Sequence, residues 1–191
     1  MSTGMVAEEQ EGLREALKRV AVALKETEFP FALIGGYAVW ARGGPEPAHD
    51  VDFMVAEDDA PRIAEVLAEE GYQVVQPPED WLFKVFTDGA MVDVIFRDSG
   101  EPATRAVVED ADEIEVLSVS MPVLSGTELL VQRFNAMDEH ACDFGRQLPV
   151  ARALREQVDW ARVRKEAGDN DFAMAFLHLL ERLSIIDPAG G

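Results

Sequence analysis

The stretch FALIGGYAVWARGGPEPAHDVDFMV, residues 31–55, sets the tightest limit on what this chain can build. An apolar run at 31–34 breaks on Gly35-Gly36, and a second apolar run at 51–56 follows a loop. Asp52 stands inside that second run and Asp50 just ahead of it. Strand side chains alternate between faces, so Asp50 and Asp52 are expected on one face, opposite Val51, Phe53 and Val55. Two neighbouring carboxylates repel each other unless a cation lies between them, and burying them uncompensated is costly.

MVDVIF repeats the arrangement, with Asp93 opposite Val92, Val94 and Phe96. Hard oxygen donors suit Mg2+ or Mn2+. Asp50, Asp52 and Asp93 together have the composition of a metal-dependent phosphoryl-transfer site, as both metal ligands and catalytic groups. The competing account is a pair of edge strands with one wet face, where an aspartate is tolerated. Gly35-Gly36 fits the first account: a strand turning into a helix through two glycines bares backbone N–H groups to a phosphate.

Charge and composition narrow the partners. The chain has 191 residues, net charge −20 and 48% hydrophobic residues, enough for an ordinary core in one domain with a helical addition. Residues 1–120 carry −17 of that charge, so a basic footprint for duplex DNA is not expected. An acidic surface serves solubility, or favours cationic partners and anions escorted by metal. No stretch has the length of a membrane span, and a soluble cytoplasmic protein is expected. Cys142 is the only cysteine, which excludes an internal disulfide.

Apolar spacing predicts a helix over 7–27 after a loose terminus at 1–6, a strand at 31–34 and a short helix at 35–41. Strands are predicted at 51–56, 72–76, 81–87, 91–96 and 114–119, with Asp88-Gly89 as a hairpin turn. A helix over 58–70 would be capped by Asp58 or Asp59, with Pro61 in its first turn. Helices at 127–137, 141–156, 159–167 and 171–186 then dominate, and the tail DPAGG is expected to fray. The expected division is an α+β core at 1–122 and a helical part at 123–191.

GGYA, the DVD triplet and the distant VDVIF resemble the nucleotidyltransferase superfamily related to DNA polymerase β. The Gly-Gly form and SGTELLVQRFNAMDEHACDFGRQLPVARAL look like its minimal, toxin-like members: antibiotic nucleotidyltransferases and abortive-infection toxins, including mycobacterial relatives that modify tRNA. The resemblance covers about residues 30–155. It implies a mixed sheet packed with helices and a helical C-terminal part. It also implies transfer of a nucleoside monophosphate from a nucleoside triphosphate to an acceptor hydroxyl, on a tRNA or a small cationic molecule, with Mg2+ or Mn2+. Gly35, Gly36, Arg133 and Asp143 would bind the nucleotide; Asp50, Asp52 and Asp93 would bind metal, with Asp93 helping to deprotonate the acceptor. A cognate antitoxin is implied only by this likeness.

The chain departs from that pattern in places. Relatives often read Arg-x-Thr-x-Asp where this chain has Glu46-Pro47-Ala48-His49-Asp50, and a helix lysine appears here as Arg133. A catalytically weak or silent member that binds nucleotide or a protein partner is the alternative. His49, on the strand face opposite Asp50 and Asp52, reads as a loop or surface histidine rather than a ligand; His140, His178 and Cys142 lack metal spacing and read as structural. Lys84 reads as a solvated strand lysine, Tyr37 and Trp40 as packing groups. Arg152, Arg155 and Arg162 read as a solvated helix face, or as a modest anion-binding surface.

Overall fold

The structure is a computed structural model that describes residues 3–87, 89–98 and 100–188. Helix α1 (Thr3–Glu26) leads into β1 (Phe31–Ile34), α2 (Gly35–Ala41), β2 (Val51–Val55) and α3 (Ala60–Glu69). Strands β3 (Gln73–Val75), β4 (Leu82–Thr87) and β5 (Ala90–Ile95) follow, then a small hairpin of β6 (Arg97–Asp98) and β7 (Glu101–Pro102) and the turn-length α4 (Arg105–Val108). Strands β8 (Ala111–Val116) and β9 (Val119–Leu124) complete the sheet. Every element from residue 126 onward is helical: α5 (Gly126–Asn135), α6 (Phe144–Leu154), α7 (Trp160–Glu166), α8 (Asp171–Arg182) and a 3-10 turn at Arg155–Gln157.

Seven strands form one mixed sheet in the order β3-β4-β5-β2-β1-β9-β8, so the α+β expectation holds. The aspartate-bearing β2 and β5 are interior strands paired in parallel, which removes the edge-strand account of their acids. Their other face is the core. Phe53, Val94 and Phe83 sit in register across β2, β5 and β4, all with at most 1% exposure. Helix α1 lies against this face through Leu17, Val20 and Leu24, all fully buried. Burying such side chains contributes roughly 1.5–3 kcal/mol each, which is why the hydrophobic spacing in α1 was legible.

The structure corrects several expectations. Residues 3–6 belong to α1 rather than to a loose terminus. The single strand expected at 114–119 is the hairpin β8–β9, turning at Leu117-Ser118 with both residues in the left-handed region (φ 51 and 65). That turn usually takes Asn-Gly or Asp-Gly, so Leu-Ser gave no signal. Asp59 precedes α3 without a side-chain cap; its carboxylate instead takes a two-pronged contact from Arg105 at 2.8 and 2.5 Å. The helix expected at 141–156 starts at Phe144, capped by Asp143, and passes into the 3-10 turn after Leu154. Gly89 has φ +81, as a tight turn requires, while Asp88 and the last three residues of the tail lie outside the described residues.

The C-terminal helices close on an aromatic cluster. Phe176 of α8 lies edge-on to Phe134 of α5 (5.4 Å) and against Phe144 of α6 (4.9 Å), and it is fully buried. Phe176→Ala is expected to lower the unfolding free energy by about 3–5 kcal/mol in urea titration; a loss under about 1 kcal/mol would show that the cluster does not hold these helices. Arg162 ties the same region together by pairing with Asp110, Glu128 and Glu166, so it is an internal crosslink, not part of an anion-binding surface. Arg155 meets Glu156 at 2.9 Å.

Candidate active site

The site is assembled by sheet register. Asp52 and Asp93 are direct partners on the parallel strands β2 and β5, and adjacent strands lie about 4.8 Å apart. Their side chains therefore leave the same face side by side. Ile34 of β1 is the register partner of Asp52, and Lys84 of β4 that of Asp93. Four strands thus contribute to one row: Ile34, Asp52, Asp93, Lys84.

Asp50 is different. It lies one residue before β2 with φ +56, so strand alternation does not set its direction. Its charge nonetheless acts on Asp52. Burial first, then Asp93 and Asp50, push the Asp52 carboxyl up from 3.8 to about 7, against the pull of Arg133 and Lys84. A carboxyl held that high is short of positive charge.

Arg133 of α5 reaches this face from the helical part. Its charge acts on Asp52, burial lowers its own pKa, and its Nε is buried without a hydrogen-bond partner. A buried, unsatisfied guanidinium nitrogen is costly and suits an anionic oxygen.

Gly35 opens α2 with φ +66, and a Cβ built there would stand 2.2 Å from Asp52 Oδ2. The residue is glycine because it lies against the carboxylate. At Gly36 a Cβ would meet the Pro47 ring at 2.7 Å, so the second glycine lets the 42–50 loop close over the turn. Glu46 accepts two hydrogen bonds from Arg14 of α1 at 2.9 and 2.5 Å. Arg14 also lies 5.9 Å over the Trp40 ring. Trp40 and Tyr37 pack edge-to-face at 5.9 Å, with Tyr37 fully buried and its hydroxyl unpaired.

Lys84 is not the solvated strand lysine expected from the sequence. Its Nζ donates to Asp93 Oδ1 at 2.9 Å. Alternation along β4 did not reveal this, because the partner depends on register with β5. Asp143 accepts from the Arg146 N–H as the cap of α6 and contacts the Arg146 side chain at 3.3 Å. His49 is exposed in the loop ahead of β2.

Two clefts adjoin the acids. One of about 330 Å³ includes Asp50, His49 and Gly12. The other, about 420 Å³, is lined by Ile34, Met54 and Ile95, with Trp81, Gln132 and Ala136 around it. Met54 and Ile95 lie two residues beyond Asp52 and Asp93, hence on the same face.

Among the described residues, no three His, Cys, Asp or Glu side chains form a preassembled metal cage. Mg2+ is ordinarily held by one or two carboxylates, with water and substrate phosphate completing its shell. The paired hard-oxygen donors Asp52 and Asp93, with Asp52 pushed up to about 7 despite Arg133 and Lys84, fit that arrangement.

A family described as "Uncharacterised nucleotidyltransferase" matches residues 1–189. No curated protein matches the sequence. Among solved structures, ANT(2")-Ia in complex with adenylyl-2"-tobramycin is similar at TM-score 0.61 and 17% identity, over 87% of this chain and 98% of that one. A solution structure of ANT(2'')-Ia, an antibiotic-resistance factor, matches at TM-score 0.54 and 16% identity, over 96% and 99%. An antigenic nucleotidyltransferase-like protein from Paracoccidioides brasiliensis matches at 0.53 and 13%, over 91% and 88%. At these identities the solved structures establish the shared fold. Among the described residues no helix is long and apolar enough to cross a membrane.

Proposed function

Since the chain belongs to this nucleotidyltransferase family, we propose that it transfers a nucleoside monophosphate from a nucleoside triphosphate to an acceptor hydroxyl, with Mg2+ or Mn2+ at Asp52 and Asp93. The observation that carries the proposal is the register-paired Asp52 and Asp93 on interior strands, one of them held near neutral pH. Asp50 would add a third oxygen donor. Bound metal would neutralise the carboxylates and the α-phosphate as charge develops on it.

The protein's own groups do the rest. Gly35-Gly36 lets Asp52 and the Pro47 loop pack against the turn that opens α2, and the unpaired Nε of Arg133 takes a phosphate oxygen. The acceptor oxygen attacks Pα and the bond from Pα to the bridging β-oxygen breaks. Pyrophosphate leaves and the acceptor proton passes to the Asp93 carboxylate. Positioning supplies much of the rate.

The acceptor that fits best is a small hydroxylated cation. The 420 Å³ cleft has the size of a small-molecule site. Its rim carries Asp80, Asp98 and one guanidinium, Arg97, which pairs with both Glu57 and Asp80, so acids outnumber bases there. A tRNA end would face a protein of net charge −20. A silent, nucleotide-binding protein is the second reading, favoured by the Lys84 ammonium standing on Asp93.

The test is transfer of label from each α-labelled triphosphate with Mn2+, in separate reactions with aminoglycosides and with total tRNA; the tRNA reaction also tests the toxin-like reading. Transfer is expected to a small cation and to fall about a hundredfold or more in Asp93→Asn. Metal-dependent nucleotide binding without transfer to any acceptor would select the silent reading. Equal transfer by Asp93→Asn would reject the site.

A further inference from the structure

Lys84 is the only cation on the strands β1, β2, β4 and β5. It points to the carboxylate face because its register partner is Asp93, and its Nζ stands 2.9 Å from Asp93 Oδ1. The two side chains are 24% and 17% exposed, so water screens the pair only in part. The next residues along that face of β4 and β5 are Leu82, Phe86, Met91 and Ile95, and Met54 follows Asp52 on β2; none can supply charge, and the other cation acting at these acids, Arg133, does so through Asp52. The acid that the proposed reaction needs for metal is therefore already neutralised by the protein itself.

We propose that Lys84 is a resident counter-ion that holds Asp93 in the metal-free protein and yields it to a divalent cation, so that the site takes metal together with nucleotide in preference to metal alone. The inference rests on the nucleotidyltransferase reading of the site. A bare cation must displace an ammonium at contact distance and then share Asp93 with it, which lowers its affinity. A cation arriving on a triphosphate brings phosphate oxygens that accept hydrogen bonds from the displaced ammonium. The cost of displacement is then offset at the moment of substrate binding. Burying Asp52 and Asp93 without nucleotide or metal requires such a charge, since unpaired buried carboxylates are expensive.

Lys84→Met keeps the stem and removes the charge; Lys84→Arg keeps the charge. Free Mn2+ is measured by electron paramagnetic resonance in titrations of the full-length protein, first without nucleotide and then with a non-hydrolysable ATP analogue. Without nucleotide, Lys84→Met is expected to bind Mn2+ about three- to tenfold more tightly than the parent, the scale of one partly buried charge contact. Lys84→Arg is expected to resemble the parent, and the gap for Lys84→Met is expected to shrink once the analogue is present. Arg62→Met, an exposed cation on α3, controls for net charge and should leave the affinity unchanged. Equal or weaker Mn2+ binding by Lys84→Met overturns the inference, because a lysine that merely aims Asp93 at metal would weaken binding when lost. An equal gain in Arg62→Met overturns it too. Should Lys84→Met fold poorly by circular dichroism, Lys84→Gln replaces it in the same titration. If the parent binds Mn2+ with the analogue and Lys84→Met matches the parent without nucleotide, this inference alone fails. If neither parent nor variant binds Mn2+ under either condition, the nucleotidyltransferase reading fails with it.

Discussion

Asp52→Asn is expected to be inert as a transferase and, in the absence of metal, more stable than the parent above pH 7. Both effects come from one carboxyl. Asp52 titrates at about 7 in the folded protein because of burial, then Asp93 and Asp50, whereas its ordinary value is 3.8. Below about pH 4 the group is protonated in folded and unfolded chains alike, and it costs nothing. Between about pH 4 and pH 7 the unfolded chain releases the proton while the folded chain keeps it, so stability falls as pH rises. Above pH 7 the group is ionised in both states and the penalty is complete, on the order of 4 kcal/mol from the size of the shift. Asparagine has the same shape and no charge, so it escapes that loss. Urea titrations with chelator at pH 4.5, 6 and 8 are expected to show a gap between variant and parent that widens across the series. A variant less stable than the parent at pH 8 would mean that the carboxylate is not held against its own charge. Mn2+ with a triphosphate is expected to stabilise the parent and leave Asp52→Asn unmoved, since only binding to the native state raises stability.

Gly35→Ala is the second large effect. The φ of +66 at this position alone costs an alanine about 1–2 kcal/mol. The added methyl would also stand 2.2 Å from Asp52 Oδ2 and 3.1 Å from its Cγ, on an interior strand with no freedom to retreat. Relief requires moving either the carboxylate or the start of α2, and a displacement of about 1 Å at a reacting centre can cost a hundredfold in rate. The expected result is a loss of about 2–4 kcal/mol in stability together with a loss of transfer of about a hundredfold or more. Gly71→Ala separates the two causes. Gly71 has φ +92 with nothing within 4 Å of where a Cβ would stand, so that variant carries backbone strain alone and should keep its transfer activity. Full activity in Gly35→Ala would show that Asp52 does not need its present position.

How much was readable in the sequence varied with the range of the interaction. The strand at 31–34 follows from a short apolar run, and the strands expected at 51–56 and 91–96, found at 51–55 and 90–95, follow with the core face of Phe53 and Val94 from alternation; both are local properties. The aspartates stood out because they interrupt that alternation with charge. The turn at Leu117-Ser118 did not stand out, because neither residue type announces a left-handed backbone. Asp59 looked like a helix cap by position and serves instead as the partner of Arg105, 46 residues away. Glu46 looked like a charge reversal at a phosphate site; it is half of an ion pair with Arg14, which no local rule connects to it.

By itself the sequence marked the candidates for the chemistry: Gly35, Gly36, Arg133, Asp143 and the acids Asp50, Asp52 and Asp93, two of which apolar strands carry. Their hydrophobic neighbours force burial of one strand face, and that local preference survives in almost any fold the chain can adopt. Only the tertiary structure decided that β2 and β5 lie next to each other in parallel, in the register that sets Asp52 beside Asp93. The same pairing decided that Lys84 stands on Asp93 and that Gly35 touches Asp52. Those contacts join residues far apart in the chain, and their energies depend on distance and burial, which are properties of the assembled sheet rather than of any segment of it.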